Sequence, residues 1–198
     1  VTPASTRYPD GGSKYASAAA YGNFKSRLHE KVVLTTGLRY TYIHLKSEFE
    51  DKTFYNFPYD EIELNNGSLS GSIGAVVSQA KNFRWNLLFA TGFRSPNVDD
   101  VGKVFDSEPG SVVVPNEDLS PEYTLNYETG MNWRIGNRMT VEGSLYYTQM
   151  RDALVRRSFA FDGQSTMIYD GTQSDVEALV NVGEAYLWGY SIGLSAKL

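Results

Sequence analysis

Apolar and polar residues alternate with a period of two along most of this chain. In residues 32–42 the even positions carry valine, leucine, threonine or tyrosine, whereas the odd positions carry valine, threonine, glycine or arginine. The same alternation recurs in residues 68–78, 84–94, 122–133, 139–148 and 186–194. Residues 14–28 form a further, alanine-rich candidate whose facing is ambiguous. Because successive side chains of a strand point to opposite faces, the pattern predicts about seven strands and an all-β fold.

The candidate strands are long, and their connections alternate in length. Most exceed the roughly 5–6 residues usual in globular sheets and reach the roughly 9–11 that a tilted membrane strand needs. Short connections fall near residues 28–31, 79–83 and 134–138, and long ones near 48–67, 95–121 and 156–180. Short periplasmic turns alternating with long extracellular loops are typical of outer-membrane barrels.

The two faces of the candidate strands differ in chemistry. One face carries aromatic and aliphatic residues, and the other carries mainly serine, threonine, asparagine, glutamate and arginine. Phe83, Trp85 and Trp133 lie beside the short turns, where a membrane barrel has an aromatic girdle. Residues 1–198 are therefore predicted to be one antiparallel transmembrane β-barrel segment, about seven strands of a larger barrel. A soluble lipocalin-like barrel is the alternative, although its interior would be apolar.

Composition removes several classes of function. The net charge of −5 disfavours binding to nucleic acid, because phosphate binding needs a basic surface. Cysteine is absent, and the two histidines, His29 and His44, are isolated, so no metal site is expected. The same shortage of histidine leaves no nucleophile–base arrangement, so we expect neither a cofactor nor enzymatic activity.

Two motifs flank the longest connection. Residues 92–96 read Gly-Phe-Arg-Ser-Pro, and residues 116–122 read Asn-Glu-Asp-Leu-Ser-Pro-Glu. This pair resembles the FRAP…NP-x-L-x-PE signature of TonB-dependent outer-membrane receptors. The stretches Gly-Leu-Arg-Tyr at 37–40 and Asn-Val-Gly-Glu-Ala at 181–185 also fit that family, the first as the end of a strand and the second as the opening of the last one.

The resemblance implies a function and a set of partners. Receptors of this family are barrels of about 22 strands, filled by an N-terminal plug domain. They lie in the bacterial outer membrane and import scarce ligands such as iron-siderophores, haem, cobalamin or oligosaccharides, driven by the inner-membrane TonB complex. We expect the partners to be outer-membrane lipid, the plug, the remaining strands and a small nutrient. The plug and several strands after Leu198 are expected to be missing from the chain.

The ligand-near residues predicted from the sequence are Tyr55, Phe57 and Arg94. Arg39 and Arg94 each follow a run of apolar residues that should face lipid, and each occupies the alternate positions of its strand. Both side chains should therefore point into the barrel near its outer rim. They would contact ligand or plug, or form ion pairs with Glu122 or Glu128. The aromatic residues between 49 and 59 would either clamp a ligand or pack on neighbouring loops.

The identity of the ligand is left open by the sequence, with two partial constraints. Haem receptors resembling this pattern place a histidine between the two motifs, and none occurs between Pro96 and Asn116. The acidic outer loops are also unfavourable to long-range attraction of anionic siderophores. A passive porin or a barrel adhesin is the competing function, and only the paired motifs separate it from a ligand-gated importer.

Overall fold

The computed structural model describes residues 7–53 and 59–197 and is dominated by one large sheet. Its elements in chain order are β1 (Gly12–His29), β2 (Val32–Glu48), β3 (Glu61–Ala80), β4 (Phe83–Arg94), α1 (Val98–Val101), β5 (Phe105–Glu108), β6 (Ser111–Val114), β7 (Glu122–Ile135), β8 (Met139–Ser158), β9 (Thr166–Tyr169) and β10 (Thr172–Ala196). Within the described residues, no helix is long and apolar enough to cross a membrane.

Seven of the strands are long and occupy the predicted positions, which confirms the all-β barrel segment. They pair as an antiparallel meander in the order β1-β2-β3-β4-β7-β8-β10. Three tight turns, at residues 30–31, 81–82 and 136–138, join them at one end. We call this the turn end and the opposite end, where the long connections lie, the loop end. Three short strands, β5, β6 and β9, belong to those connections and were not predicted.

The strands extend further toward the loop end than the sequence indicated. β3 begins at Glu61 and β10 at Thr172, so much of the predicted loops 48–67 and 156–180 is strand. Residues 37–40 consequently lie within β2 and residues 181–185 within β10, not at strand ends as expected. The extension of β3 has a physical cause, because residues 61–64 alternate charged with apolar side chains and Ile62 is buried in the core. Lys46 helps by bridging the carboxylates of Glu48 and Glu61, each at 2.8 Å.

The apolar side chains of the alternating pattern form one continuous face across the sheet. We call it the outer face. Leu38, Leu87 and Leu145 on this face are 57%, 49% and 51% exposed, which suits contact with lipid rather than water. A row of rings crosses four strands, with centroid distances of 5.0 Å for Phe89–Tyr127, 6.3 Å for Tyr127–Tyr147 and 6.1 Å for Tyr147–Tyr186. Phe83, Trp85 and Trp133 form a second aromatic group at the turn end. The turn-end group occupies the place of a membrane barrel's aromatic girdle, whereas the row of rings crosses the apolar band itself.

The opposite, inner face changes character along its length. Near the turn end it is polar, as predicted. Near the loop end it becomes apolar and buried, because Leu45 on β2 and Ile62 on β3 are only 0% and 2% exposed. The cluster, which we call the loop-end core, is completed by Phe49, Val101, Val104, Val112, Val114, Leu119, Phe161, Val176 and Ala178. The expectation of a polar inner phase therefore fails at this end, where folded loops replace water.

The connection between β4 and β7 supplies much of the loop-end core. It folds into α1 and the β5–β6 hairpin, and β6 pairs in parallel with residues 175–178 of β10. Val112 and Val114 share a face with their partners Val176 and Ala178 and are buried in the same core as Leu45. The hairpin therefore lies over the inner face of β2 and β3, which narrows the sheet's hollow side at the loop end.

Candidate functional site

Arg94 begins the connection between β4 and β7 and is held by two carboxylates. Its Nη2 lies 2.7 Å from Asp100 Oδ2 and 2.9 Å from Asp100 Oδ1, and its Nη1 lies 3.4 Å from Glu122 Oε1. The side chain of Arg94 is 46% exposed, whereas those of Asp100 and Glu122 are 10% and 19% exposed. One side of the guanidinium is thus occupied by ion pairs, and the ligand contact expected at Arg94 is still a prediction.

Asp100 is oriented by the start of the short helix α1. Asn97 caps the helix, its side chain accepting the Asp100 backbone N–H at 3.1 Å, while the Asp100 carboxylate accepts the Asn97 N–H at 3.0 Å. This reciprocal cap turns the carboxylate toward Arg94. The Asn-x-x-Asp spacing could have revealed that role in the sequence. Across residues 7–53 and 59–197, no group of three or more histidine, aspartate or glutamate side chains could hold a metal ion.

The two asparagines of the sequence motifs join the far end of the connection to β10. Asn116 is 6% exposed and donates its amide to the Leu179 carbonyl at 2.8 Å. Asn181 donates to the Ser120 carbonyl at 2.8 Å and accepts the Ser120 N–H at 2.9 Å. The motifs at 116–122 and 181–185, far apart in sequence, are therefore in direct contact, and these asparagines satisfy backbone groups.

β8 is tied into the same junction. The Asn181 amide also donates to the carbonyl of Asp152 at 2.7 Å, and Asp152 has a positive φ of 54° that aspartate tolerates better than most residues. Glu122 accepts the Leu154 N–H at 3.1 Å with its second oxygen. The connection is consequently fixed at both ends, through Arg94 and Asn181, to strands that border the hollow side.

The connection between β2 and β3 packs against the one just described. The Phe49 and Tyr59 rings meet edge to face at 5.4 Å, and the Tyr59 hydroxyl donates to the Pro115 carbonyl at 3.3 Å. Burial raises the pKa of the Tyr59 phenol, and the nearby charge of Glu117 adds to the shift. For Phe49 and Tyr59, packing on neighbouring loops is thus observed. Tyr55 and Phe57, two of the three predicted ligand-near residues, lie outside the described residues.

Arg39 lies on the inner face nearer the middle of the sheet. Its Nε donates to Thr41 Oγ1 at 3.0 Å, and its guanidinium lies 5.9 Å from the centre of the Tyr21 ring. No carboxylate of the described ranges lies within 4.0 Å of it. Arg39, Tyr21, Asn23, Ser70 and Thr91 line a shallow cavity of about 310 Å³. Its expected pairing with Glu122 or Glu128 is therefore not formed, and the side chain borders open space.

Both the sequence and the fold of this chain resemble those of known proteins. A sequence model of the family described as TonB-dependent receptor-like, beta-barrel, matches residues 1–198. The chain belongs to the TonB-dependent receptor family. Members of this family are receptors, which fits the expectation that the chain is not an enzyme. No curated protein matches the sequence.

Solved structures share the barrel fold at low sequence identity. The hemophore receptor HasR of Serratia marcescens, solved with its hemophore HasA and heme, is 15% identical with a TM-score of 0.70, over 91% of this chain and 31% of its own. The copper transporter OprC is 18% identical with a TM-score of 0.70, over 94% and 27%. The siderophore receptor PirA from Pseudomonas aeruginosa is 18% identical with a TM-score of 0.59, over 92% and 40%. The chain therefore spans well under half of each of these proteins.

Proposed function

We propose that this chain is part of the barrel of an outer-membrane importer for a scarce nutrient, energised by the inner-membrane TonB complex. The observation that carries the proposal is the family match over residues 1–198, and the lipid-suited outer face supports it. A soluble binding protein would not expose Leu38, Leu87 and Leu145 on one continuous face.

The rest of the receptor would supply the parts that this chain does not provide. In the described residues, one edge of β1 and the edge of β10 opposite β8, from residue 179 to residue 196, have no partner strand. Unpaired N–H and C=O groups in lipid cost several kcal/mol each, so further strands are needed to close the barrel. A plug domain inside that barrel would connect the ligand to TonB.

The set of candidate nutrients for this chain is smaller than the set that the whole family imports, but the fold does not identify the nutrient. The similar structures are named for heme, copper and siderophore, and at 15–18% identity they support only the architecture. The lack of histidine between Pro96 and Asn116 argues against haem held by that connection. We therefore propose a siderophore, cobalamin or an oligosaccharide, with Tyr55, Phe57 and Arg94 as candidate contacts.

Energy-dependent uptake tests this function directly. Cells lacking the gene for the intact receptor would be compared with complemented cells for uptake of labelled ferric siderophores, cobalamin and oligosaccharides. We expect complemented cells to accumulate one ligand class, and only when TonB is present. Saturable accumulation that disappears in a TonB-deficient strain supports the importer.

A passive porin gives a different result in the same assay. Uptake through a porin would not saturate at low ligand concentration and would continue without TonB. Diffusion of that kind, with no tight binding of any ligand, would contradict the proposed function.

A further inference from the structure

A group of cationic and aromatic side chains lies beside the β5–β6 hairpin at the loop end. The Lys103 ammonium lies 5.0 Å from the centre of the Phe105 ring and 5.7 Å from that of Tyr8. The Arg156 guanidinium, from the loop end of β8, lies 5.3 Å from the same Phe105 ring. Two separate parts of the chain thus bring two cations to one ring, and a third part adds Tyr8. We call Tyr8, Lys103, Phe105 and Arg156 the cation–aromatic group.

Strand register places Phe105 and Arg156 on one face and the core valines on the other. Phe105 lies opposite Val113 on β6, and Val113 lies opposite Glu177 on β10. Arg156 lies opposite Leu179, two residues from Glu177 and on the same face. Val112 and Val114 alternate with Val113 and enter the loop-end core. Leu154 and Leu179, on the same face as Arg156, also pack against the core, whereas Arg156 is exposed and Lys103 and Phe105 are partly exposed, so the cation–aromatic group is accessible.

The two cations are not neutralised within the described part of the chain. No carboxylate there lies within 4.0 Å of Lys103 or Arg156. Two acids of the neighbouring strands have other partners: Asp106 forms an ion pair with Arg7 at 3.6 Å, and Glu177 accepts a hydrogen bond from the Ser107 hydroxyl at 3.3 Å. This contrasts with Arg94, which is held by two carboxylates. In a chain of net charge −5, two cations without acidic partners on one ring make a local positive site.

The cation–aromatic group is held in place before any ligand arrives. The backbone N–H of Val104 donates to the Arg7 carbonyl at 2.9 Å, which fixes the segment that carries Tyr8. Pro9 packs so closely on Gly102 that a Cβ there would lie 2.8 Å from the Pro9 ring. The pairing of β6 with β10 fixes Phe105 relative to Arg156. A site that is already ordered loses less entropy on binding.

We propose that Lys103, Phe105 and Arg156 form a subsite for an anionic, aromatic part of the imported ligand, which would deepen the function proposed above and rests on it. The two cations attract the negative charge, and the Phe105 and Tyr8 rings provide surfaces on which a flat ring can stack.

Matched ferric chelates would test the subsite in the intact receptor. The probes are an anionic ferric tris-catecholate and a neutral ferric tris-hydroxamate, and the readout is the dissociation constant at low and high salt. In the double variant Lys103→Ala/Arg156→Ala, we expect affinity for the tris-catecholate to fall about tenfold or more, with a smaller salt dependence. Affinity for the tris-hydroxamate should not change.

Arg157→Ala is the matched control, because Arg157 is the next residue on β8, is exposed, and belongs to the opposite phase. It removes one positive charge, as Arg156→Ala alone does, and should leave both affinities unaltered. Equal losses in the control and the double variant would overturn the subsite, and so would a wild-type receptor that binds neither chelate or only the neutral one. TonB-dependent uptake of another nutrient, unaffected by the double variant, would overturn the subsite while leaving the importer intact.

Discussion

The turn end and the loop end of this sheet are built from the same strands but are stabilised differently. At the turn end, tight turns join long strands, one face is suited to lipid and the other is polar, so stability there comes from the backbone ladder and the surrounding membrane. At the loop end, the inner face of β2 and β3 is covered by folded connections, and Leu45 has no exposed surface. That end resembles a small soluble protein, with its own apolar core.

The difference bears on how such a receptor could handle a ligand. Where the inner face of the strands carries only polar side chains, the space on that side of the sheet stays open. Where a connection forms a core on that face, it narrows the same space at a fixed position. Arg94 and Asn181 fix the ends of that connection, and the cation–aromatic group lies on its exposed side. Under the proposed function, we expect ligand selection by shape and charge to take place at the loop end.

The largest expected effect comes from comparing two leucines of β2 that lie in different environments. Leu45→Ala should lower the free energy of unfolding by about 2–5 kcal/mol, because it leaves a cavity in the loop-end core. Leu38→Ala, on the outer face of the same strand, should cost about 1 kcal/mol or less, since lipid fills the space. Urea unfolding of the intact receptor in vesicles measures both. Equal losses would show that the loop-end core adds no stability.

A second test concerns the two faces near the middle of the sheet. Leu87→Arg should cost about 2–4 kcal/mol in a bilayer, because the charge would enter the hydrocarbon layer. Ser70→Arg, on the inner face of the neighbouring strand, should be nearly neutral. The measurement is folding into vesicles of defined lipid composition. A comparable penalty at Ser70 would contradict the assignment of outer and inner faces.

The asparagine junction should have a smaller, local effect. Asn181→Ala would remove three hydrogen bonds to Ser120 and Asp152 and should cost about 1–3 kcal/mol. Asn126→Ala, whose side chain accepts one hydrogen bond from Thr148 across the ladder, is the matched control and should cost about 1 kcal/mol or less. Hydrogen exchange should show faster opening of residues 116–121 in the first variant alone. Unchanged protection of that segment would mean that Asn181 does not hold it.

Arg94→Ala tests whether the rim arginine acts through structure or through ligand contact. Because Arg94 is 46% exposed, loss of its two ion pairs should cost only about 1 kcal/mol. A direct ligand contact should add a loss of affinity of more than about 1 kcal/mol. Affinity and unfolding are measured on the same variant. Lower stability with unchanged affinity would remove Arg94 from the candidate contacts.

Several features of the site could not be read from the sequence, for reasons visible in particular residues. Ser-Val-Val-Val at 111–114 does not alternate, and its partner strand lies at residues 175–178, so nothing local marked it as a strand. No role was assigned to Asp100 from the sequence, although the Asn97 cap directs its carboxylate to Arg94. Lys103, Phe105 and Arg156 went unnoticed because two different segments contribute them.

The sequence by itself determined the seven long strands, the face that meets lipid and the alternation of turns with long connections. Each of these follows from the alternation of apolar and polar residues or from the turn residues that end a strand. Both are local properties of the chain. Only the tertiary structure decided that the connections fold over the inner face, that the motif asparagines meet, and that two cations with no acidic partner among residues 7–53 and 59–197 share one ring. Those outcomes depend on contacts between residues far apart in sequence, whose side-chain patterns carry no trace of their partners.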